Sequence, residues 1–193
     1  MFIYADNAAT TKLSGKALEA MLPIMKDTYG NPSSLHVKGQ EAKDSMELSR
    51  EKLAALLGAK PKEIYFTSGG SESHKQAIKS AAGYGFALGK KHIISTKFEH
   101  HAVLHTLDAL KNEGFDITLI DVNENGVVNP LDIRNAIRPD TCLVSVMYVN
   151  NEIGTIQPIK EIGAICKENG VLFHTDAVQA AAHLKIDVND LDV

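Results

Sequence analysis

Hydrophobic positions along the chain form short continuous runs that alternate with longer stretches of helical periodicity. The short runs predict five strands of a mainly parallel sheet, because strands covered on both faces lack polar alternation; they are 63–67, 92–96, 116–120, 142–147 and 171–175. The amphipathic stretches predict helices at 15–27, 36–57, 71–88, 100–113, 129–137 and 159–169. Short connections between these elements favour an α/β fold with a mainly parallel, doubly wound sheet.

The chain ends in Leu191-Asp192-Val193. These mainly apolar residues resemble the approach to a further strand. A sheet that ended there would leave an unpaired apolar edge, which natural proteins usually cover. We therefore expect the chain to be a truncated part of its domain.

Composition and charge narrow the possible partners. The 193 residues are 44% hydrophobic and 23% charged, as in ordinary globular proteins. A formal net charge of −4 argues against nucleic acid or an anionic membrane as the main partner. We expect a cytoplasmic protein, because no segment resembles a signal peptide or a membrane span. Cys142 and Cys166 lie among apolar neighbours and are predicted to be core residues.

The strand predicted at 63–67 is followed by a glycine-rich turn that opens a helix. Gly69 and Gly70 allow the backbone to approach an anion closely, and the helix N-terminus offers N–H groups with partial positive charge. The Ser71 hydroxyl adds a donor, so the turn is a candidate phosphate site. It matches neither a Walker A loop nor a dinucleotide-binding fingerprint. On this segment alone, a tight turn with Ser71 as the helix N-cap is an equally good interpretation.

Three further strand ends carry polar side chains, and ligands of parallel sheets bind at the carboxyl ends of the strands. His100 follows the second predicted strand, and Asn151 follows the fourth. Asp176 ends the fifth strand, with Gln179 on the same face if a helical turn begins there. Singly, these residues could be a surface histidine, a turn residue and a helix cap. Their convergence on one edge favours a common ligand.

A phosphorylated, planar, nitrogen-containing ring would use all of these groups. Asp176 would pair with a ring nitrogen and keep it protonated, as an electron-sink cofactor requires. His100 would stack on the ring, and Asn151 and Gln179 would donate to a ring oxygen. This description fits pyridoxal 5′-phosphate (pyridoxal phosphate).

Six ordered segments, which together span nearly the whole chain, resemble the cysteine desulfurases. This NifS/IscS-like group belongs to the class V, fold-type I pyridoxal-phosphate enzymes. The segments are Tyr-Ala-Asp-Asn-Ala-Ala-Thr-Thr at 4–11, Gly-Asn-Pro-Ser-Ser-Leu-His at 30–36, Phe-Thr-Ser-Gly-Gly-Ser-Glu-Ser at 66–73, Glu-His-His-Ala-Val-Leu at 99–104, Val-Asn-Asn-Glu-Ile-Gly at 149–154 and His-Thr-Asp-Ala-Val-Gln at 174–179. The Asn-Asn-Glu-Ile-Gly element points to desulfurases rather than to class V aminotransferases in general.

The resemblance implies a homodimeric enzyme that converts L-cysteine to L-alanine. The sulfur would be held as an enzyme persulfide and passed to a sulfur-acceptor or scaffold protein, for use in iron–sulfur clusters or thio-cofactors. It implies that residues 1–14 belong to a small domain and that 15–193 form an incomplete large domain that binds pyridoxal phosphate. The implied site residues are Gly70 and Ser71 at the phosphate, His100 on the ring and in proton transfer, Asn151 and Gln179 at the ring oxygen, and Asp176 at the pyridine nitrogen.

The sequence departs from the family pattern in three ways. Ser71 replaces the usual threonine and keeps the hydroxyl, whereas His74-Lys75 replaces Asn or Asp with no evident role. The Ser-Gly-His-Lys element with the Schiff-base lysine, the catalytic cysteine and the substrate-binding arginine would all follow Val193. The chain alone is therefore expected to be inactive, and to hold the cofactor weakly if it holds it at all.

Three alternatives remain at this point. A metal-dependent enzyme could use His100, His101 and His105, but no Cys or carboxylate completes a ligand set. Another class V aminotransferase or a selenocysteine lyase would share most of the same motifs. The chain could also be a non-catalytic fragment or scaffold, because it lacks the lysine that would anchor the cofactor.

Overall fold

A computed structural model describes all of residues 1–193. The helices are α1 (Gly15–Asp27), α2 (Val37–Leu57), α3 (Gly70–Ala87), α4 (His101–Asn112), α5 (Pro130–Ala136) and α6 (Ile159–Glu168). The strands are β1 (His92–Thr96), β2 (Asp116–Ile120), β3 (Thr141–Ser145) and β4 (Leu172–His174). All six predicted helices and four of the five predicted strands are confirmed, with ends that differ by at most two residues.

The chain divides into two compact units, Met1–Tyr65 and Phe66–Val193. The first unit contains α1 and α2, and both helices begin at a side-chain cap. Ser14 Oγ accepts the N–H of Ala17, and His36 Nδ1 accepts the N–H of Gly39. The domain boundary predicted after residue 14 stays a prediction.

The strand predicted at 63–67 is not formed, and the prediction is wrong there. Pro61–Glu63 forms a short 3-10 helix instead. Ile64 is extended, but the guanidinium of Arg50 donates to its carbonyl oxygen. An apolar run becomes a strand only where a neighbour completes its hydrogen-bond ladder, and the sheet contains only β1 to β4.

The second unit is built on a four-stranded parallel sheet in the order β2-β1-β3-β4. Every residue of β1 and of β3 is buried, as expected for central strands with both faces covered. Because β1, β3 and β4 are neighbours and run in the same direction, their carboxyl ends lie side by side. This confirms the predicted α/β class and the predicted arrangement of strand ends.

One core cluster lies between the sheet and the helices α3 and α4. Its buried members are Ile78, Ala82, Ile93, Val103, Leu107, Leu110, Phe115, Cys142 and Leu143. Ile94 and Val144, the next residues along β1 and β3, point to the opposite face and are also fully buried. Apolar groups therefore fill both faces of the sheet, which is the doubly wound arrangement.

The two cysteines lie in this interior, as predicted. The Cys142 thiol donates to the carbonyl oxygen of His92 at 3.3 Å. Burial raises the pKa of the Cys166 thiol to about 12, so neither group is an activated nucleophile. None of the helices is long and apolar enough to cross a bilayer.

Helix α3 lies close against β3 at Gly85, which gives a test of the packing. A Cβ at Gly85 would lie 2.3 Å from the Cβ of Cys142. We expect Gly85→Ala to lower the free energy of unfolding by roughly 1–3 kcal/mol, because α3 must move away from the sheet. Urea denaturation measures the change.

The matched control lies two residues earlier in the same helix. A Cβ at Gly83 meets nothing within 4 Å, so Gly83→Ala should stabilise the chain by up to about 1 kcal/mol through helix propensity. Equal effects of the two substitutions would contradict the packing of α3 on β3.

Candidate functional site

The candidate site lies where β1, β3 and β4 end and where α3 begins. Gly69, not Ser71, is the N-cap of α3, and no side chain caps the helix there. The interpretation of Ser71 as N-cap is therefore wrong, because the helix already starts at Gly70 and Ser71 is its second residue. Backbone N–H groups in a first helical turn have no partner within the helix. The turn thus has the donor arrangement of an anion site.

The glycine turn lies directly beside the segment that follows β4. A Cβ at Gly70 would come within 3.4 Å of Val178 Cγ2 and within 3.6 Å of His74 Nε2. Glu72 folds back on the turn, and Ser68 donates to its Oε2 through both the backbone N–H and the hydroxyl at 2.6 Å. The structure therefore brings Gly70 together with the region of Asp176.

His100 caps α4 and faces two cavities. Its Nδ1 accepts the N–H of Ala102 at 3.1 Å, and its side chain is exposed. One cavity of about 510 Å³ is lined by His100 together with Ser71. A second, of about 330 Å³, is lined by His100 together with Asn151. His100 therefore stands between the glycine turn and the end of β3.

Asn151 lies in a turn that the side chain of Asn150 stabilises through hydrogen bonds. The buried Asn150 accepts the N–H groups of Glu152 and Ile153 through Oδ1, at 2.9 and 3.0 Å. Its Nδ2 donates to the carbonyl oxygen of Phe98 at 3.3 Å, which ties the turn to the end of β1. The turn interpretation of Asn151 is correct, and the turn places the residue beside His100.

Asp176 is the most enclosed of the predicted residues, with 6% of its surface exposed. Its Oδ1 accepts the N–H of Val178 at 3.0 Å. No helix follows β4, so the interpretation of Asp176 as a helix cap is wrong, and the carboxylate stabilises a turn instead. Its Oδ2 lies 3.1 Å from Nε2 of His74. Burial alone would raise the pKa of Asp176, but the hydrogen bonds from His74 and Val178 outweigh it and lower the pKa. Gln179 is half-buried in the turn that follows.

Two histidines, the buried His74 and the partly buried His174, complete the surroundings of Asp176, and sequence reasoning assigned neither of them a role. His74 is the fifth residue of α3, and no local pattern distinguishes it from the other polar residues of that helix. His174 ends β4, and its ring meets the ring of His74 edge to face at 5.4 Å. Burial, together with the charge of His74, lowers the pKa of His174 to about 4.

Glu99 is a second buried carboxyl group that sequence reasoning missed. Its Oε1 accepts the Thr96 hydroxyl at 2.7 Å and the N–H of Met147 at 3.0 Å. Its Oε2 is buried with no hydrogen-bond partner. Burial raises the pKa of Glu99 to about 7, and the charge of Asp176 adds to this effect. Glu99 therefore gains and loses its proton near neutral pH.

The histidines considered as metal ligands are arranged differently from a metal centre. His101 and His105 stack with their ring centroids 5.9 Å apart, and His100 is tilted against His101 at 6.0 Å. No group of three or more His, Cys, Asp or Glu side chains in the chain is placed to hold a metal ion.

The chain as a whole corresponds to a known class of proteins. The family described as aminotransferase class-V matches residues 3–193. The chain therefore belongs to the class-V aminotransferase family, as the sequence motifs indicated.

Named relatives within that family are cysteine desulfurases. The cysteine desulfurase IscS of Methanosarcina thermophila is 53% identical over 191 residues, which are 99% of this chain and 47% of the relative. The putative cysteine desulfurase IscS 1 of Bacillus subtilis is 50% identical and covers 97% of this chain and 49% of its own length. The chain thus spans about half the length of the curated relatives it matches.

Solved structures agree with this assignment. A NifS-like protein superimposes with a TM-score of 0.95 at 40% identity, covering all of this chain and 53% of its own. A structure described as SspA in complex with cysteine gives a TM-score of 0.93 at 41% identity, covering 98% of this chain and 55% of its own. The prediction of a fold-type I large domain in a desulfurase-like protein is confirmed.

The raised pKa of Glu99 gives a pH-dependent prediction. Between pH 4.5 and about 7 the folded chain binds the Glu99 proton more tightly than the unfolded chain does, so this group lowers stability as the pH rises. We expect Glu99→Gln to remove that loss. The advantage of the variant should grow from near zero at pH 4.5 to roughly 3 kcal/mol at pH 8.

Urea denaturation at several pH values measures this difference. Glu124→Gln is the control, because Glu124 is exposed and should give no pH-dependent difference. A Glu99→Gln advantage that is constant with pH would show that the carboxyl group is ionised normally.

Proposed function

We propose that this chain forms the pyridoxal-phosphate-binding part of a cysteine desulfurase. The observation that carries the proposal is Asp176, a carboxylate that stays ionised although it is buried at the carboxyl edge of a parallel sheet. A buried anion of this kind suits a cationic ring nitrogen. The helix N-terminus at Gly70 and the imidazole of His100 lie at the same edge.

The residues present fit this cofactor in charge and in space. At the glycine turn, a Cβ on Gly70 would reach van der Waals contact with Val178, so a small residue suits this position. Between Ser71 and His100 lies a cavity of about 510 Å³ that Lys75 also lines. A helix N-terminus, a hydroxyl and an ammonium group form a favourable surrounding for a phosphate.

Each residue then has a defined task in the proposed site. Gly70 and Ser71 bind the phosphate through backbone N–H groups and the hydroxyl. His100 packs on the ring and moves a proton at its Nε2, because its Nδ1 already accepts the N–H of Ala102. Asn151 and Gln179 donate to the ring oxygen. Asp176 holds the proton on the ring nitrogen, and the bound cofactor supplies an electron sink for the substrate carbon.

For the whole protein we propose desulfuration of L-cysteine. The substrate loses its sulfur to a cysteine thiol of the enzyme, so that one C–S bond breaks and one S–S bond forms. The products are L-alanine and an enzyme persulfide, which together contain all the atoms of L-cysteine and the thiol. The similarity to named desulfurases supports this reaction. We also propose a cytoplasmic homodimer that passes sulfur to an acceptor or scaffold protein for iron–sulfur clusters.

Cofactor binding by the chain itself tests the proposed site. Pyridoxal phosphate added to the chain should produce a saturable absorbance change. We expect Asp176→Ala to weaken binding roughly 10-fold to 100-fold, because a charged hydrogen bond to the ring nitrogen is lost.

The matched control is Asp108→Ala, since Asp108 is an exposed carboxylate on α4. This variant should bind as the parent chain does. Equal affinity of the Asp176→Ala variant and the parent chain would contradict the site assignment.

Alanine formation from L-cysteine tests the reaction. The sequence contains no Ser-Gly-His-Lys segment, so the chain alone should release no alanine. Fused at Val193 to the carboxyl-terminal half of the Methanosarcina thermophila relative, it should release alanine in the presence of a thiol reductant. Alanine release by the unfused chain, or none by a folded fusion that binds the cofactor, would contradict the proposal.

A further inference from the structure

His74 is buried against the carboxylate on which the proposed site depends. Its side chain is 8% exposed, and its Nε2 lies 3.1 Å from Oδ2 of Asp176. A carboxylate only accepts hydrogen bonds, so Nε2 of His74 carries the hydrogen and donates it. The other oxygen of Asp176 accepts the N–H of Val178. Each carboxylate oxygen is thus held by one donor, and the two donors come from different elements of the fold.

The second nitrogen of His74 is held from the opposite side. Its Nδ1 lies 3.4 Å from Nε2 of His174, and Nδ1 of His174 lies 2.8 Å from the hydroxyl of Ser145. The carbonyl oxygen of Ser145 accepts the hydroxyl of Ser95 at 2.8 Å. The imidazole of His74 is therefore fixed at both nitrogens, and the series of contacts runs from Asp176 through two rings to the central strands.

We propose that His74 is a positioning residue: through its Nε2–H it keeps the Asp176 carboxylate ionised and oriented, so that Asp176 can hold the proton on the ring nitrogen of pyridoxal phosphate. This inference rests on the proposed function for the cofactor, but the contact between His74 and Asp176 stands without it.

The physical reason lies in how a proton divides between a carboxyl group and a pyridine. The pair can exist as carboxylate and pyridinium, or as carboxylic acid and neutral pyridine, with the same number of protons. A hydrogen bond donated to the carboxylate favours the first form. Without that bond, burial favours the neutral form, because it avoids two buried charges.

Three other titratable groups surround Asp176 and enter its pH dependence. His74 contacts it from α3, and His174 acts on it from β4. Glu99, in the turn before α4, is the nearby acid whose own pKa Asp176 raises. Burial lowers the pKa of His174 to about 4, so His174 gains its proton in the same acidic range in which Asp176 titrates, and its ring signals are followed in the same titration.

The first experiment is free of any ligand. The carboxyl carbon of Asp176 is followed by NMR as a function of pH in the parent chain and in His74→Ala. We expect the titration midpoint to move to higher pH in the variant. His74→Gln, whose amide can place a donor at the position of Nε2, should return the midpoint most of the way. His101→Ala, an exposed histidine on α4, should leave it unchanged.

The second experiment observes the ring nitrogen directly. Pyridoxal phosphate labelled with ¹⁵N in the ring is added to the parent chain and to the variants. The nitrogen shift should be that of a pyridinium in the parent chain and should move toward neutral pyridine in His74→Ala. An unchanged shift in the bound cofactor overturns the proposal, as does an Asp176 midpoint that His74→Ala leaves in place.

Two further outcomes remain decisive. If His74→Ala does not fold, the tautomer of His74 in the parent chain, observed by NMR, tests the proposal instead. A proton on Nε2 supports the proposal, and a proton on Nδ1 alone overturns it. If the chain binds no pyridoxal phosphate, the proposed cofactor site fails, and with it the effect on the ring nitrogen. The ligand-free titration then still shows whether His74 controls Asp176.

Discussion

The ionised carboxylate of Asp176 is the interaction on which the candidate site depends, because burial opposes its charge. The donors that offset burial are His74 on α3 and Val178 in the turn after β4. The charge therefore persists only while α3 stays packed beside β4. Ile78 and Ala82, buried on the same helix, anchor α3 to the sheet core. Core packing thus determines the electrostatics of the site.

The topology of the sheet is what made most of the site predictable. Apolar runs and helical periodicity predict alternating strands and helices, and parallel strands place their carboxyl ends on one edge. His100, Asn151 and Asp176 follow from that rule, because each lies in the segment that leaves the carboxyl end of a strand. The run at 63–67 shows the limit of such reasoning. Its apolar pattern is that of a strand, but strand formation depends on a distant partner that no local pattern reveals.

His74 and Glu99 could not be predicted, because their roles depend on packing between separate elements. Position 74 is one of several polar positions on α3, and only its contact with Asp176, about a hundred residues later in the chain, distinguishes it. Glu99 precedes His100 and resembles an ordinary polar turn residue. Its burial arises because the N–H of Met147, beyond β3, binds it from a neighbouring strand end.

The two buried carboxyl groups have opposite pKa shifts, and the difference lies in their partners. Asp176 has a donor on each oxygen, one of them an imidazole, whereas Glu99 has donors on one oxygen only. Because the charge of Asp176 raises the pKa of Glu99, the ionised form of each carboxyl group disfavours the ionised form of the other. Below about pH 7, the proton on Glu99 thus leaves Asp176 as the ionised member of this pair, and one carboxylate matches a ligand that presents one cationic ring nitrogen.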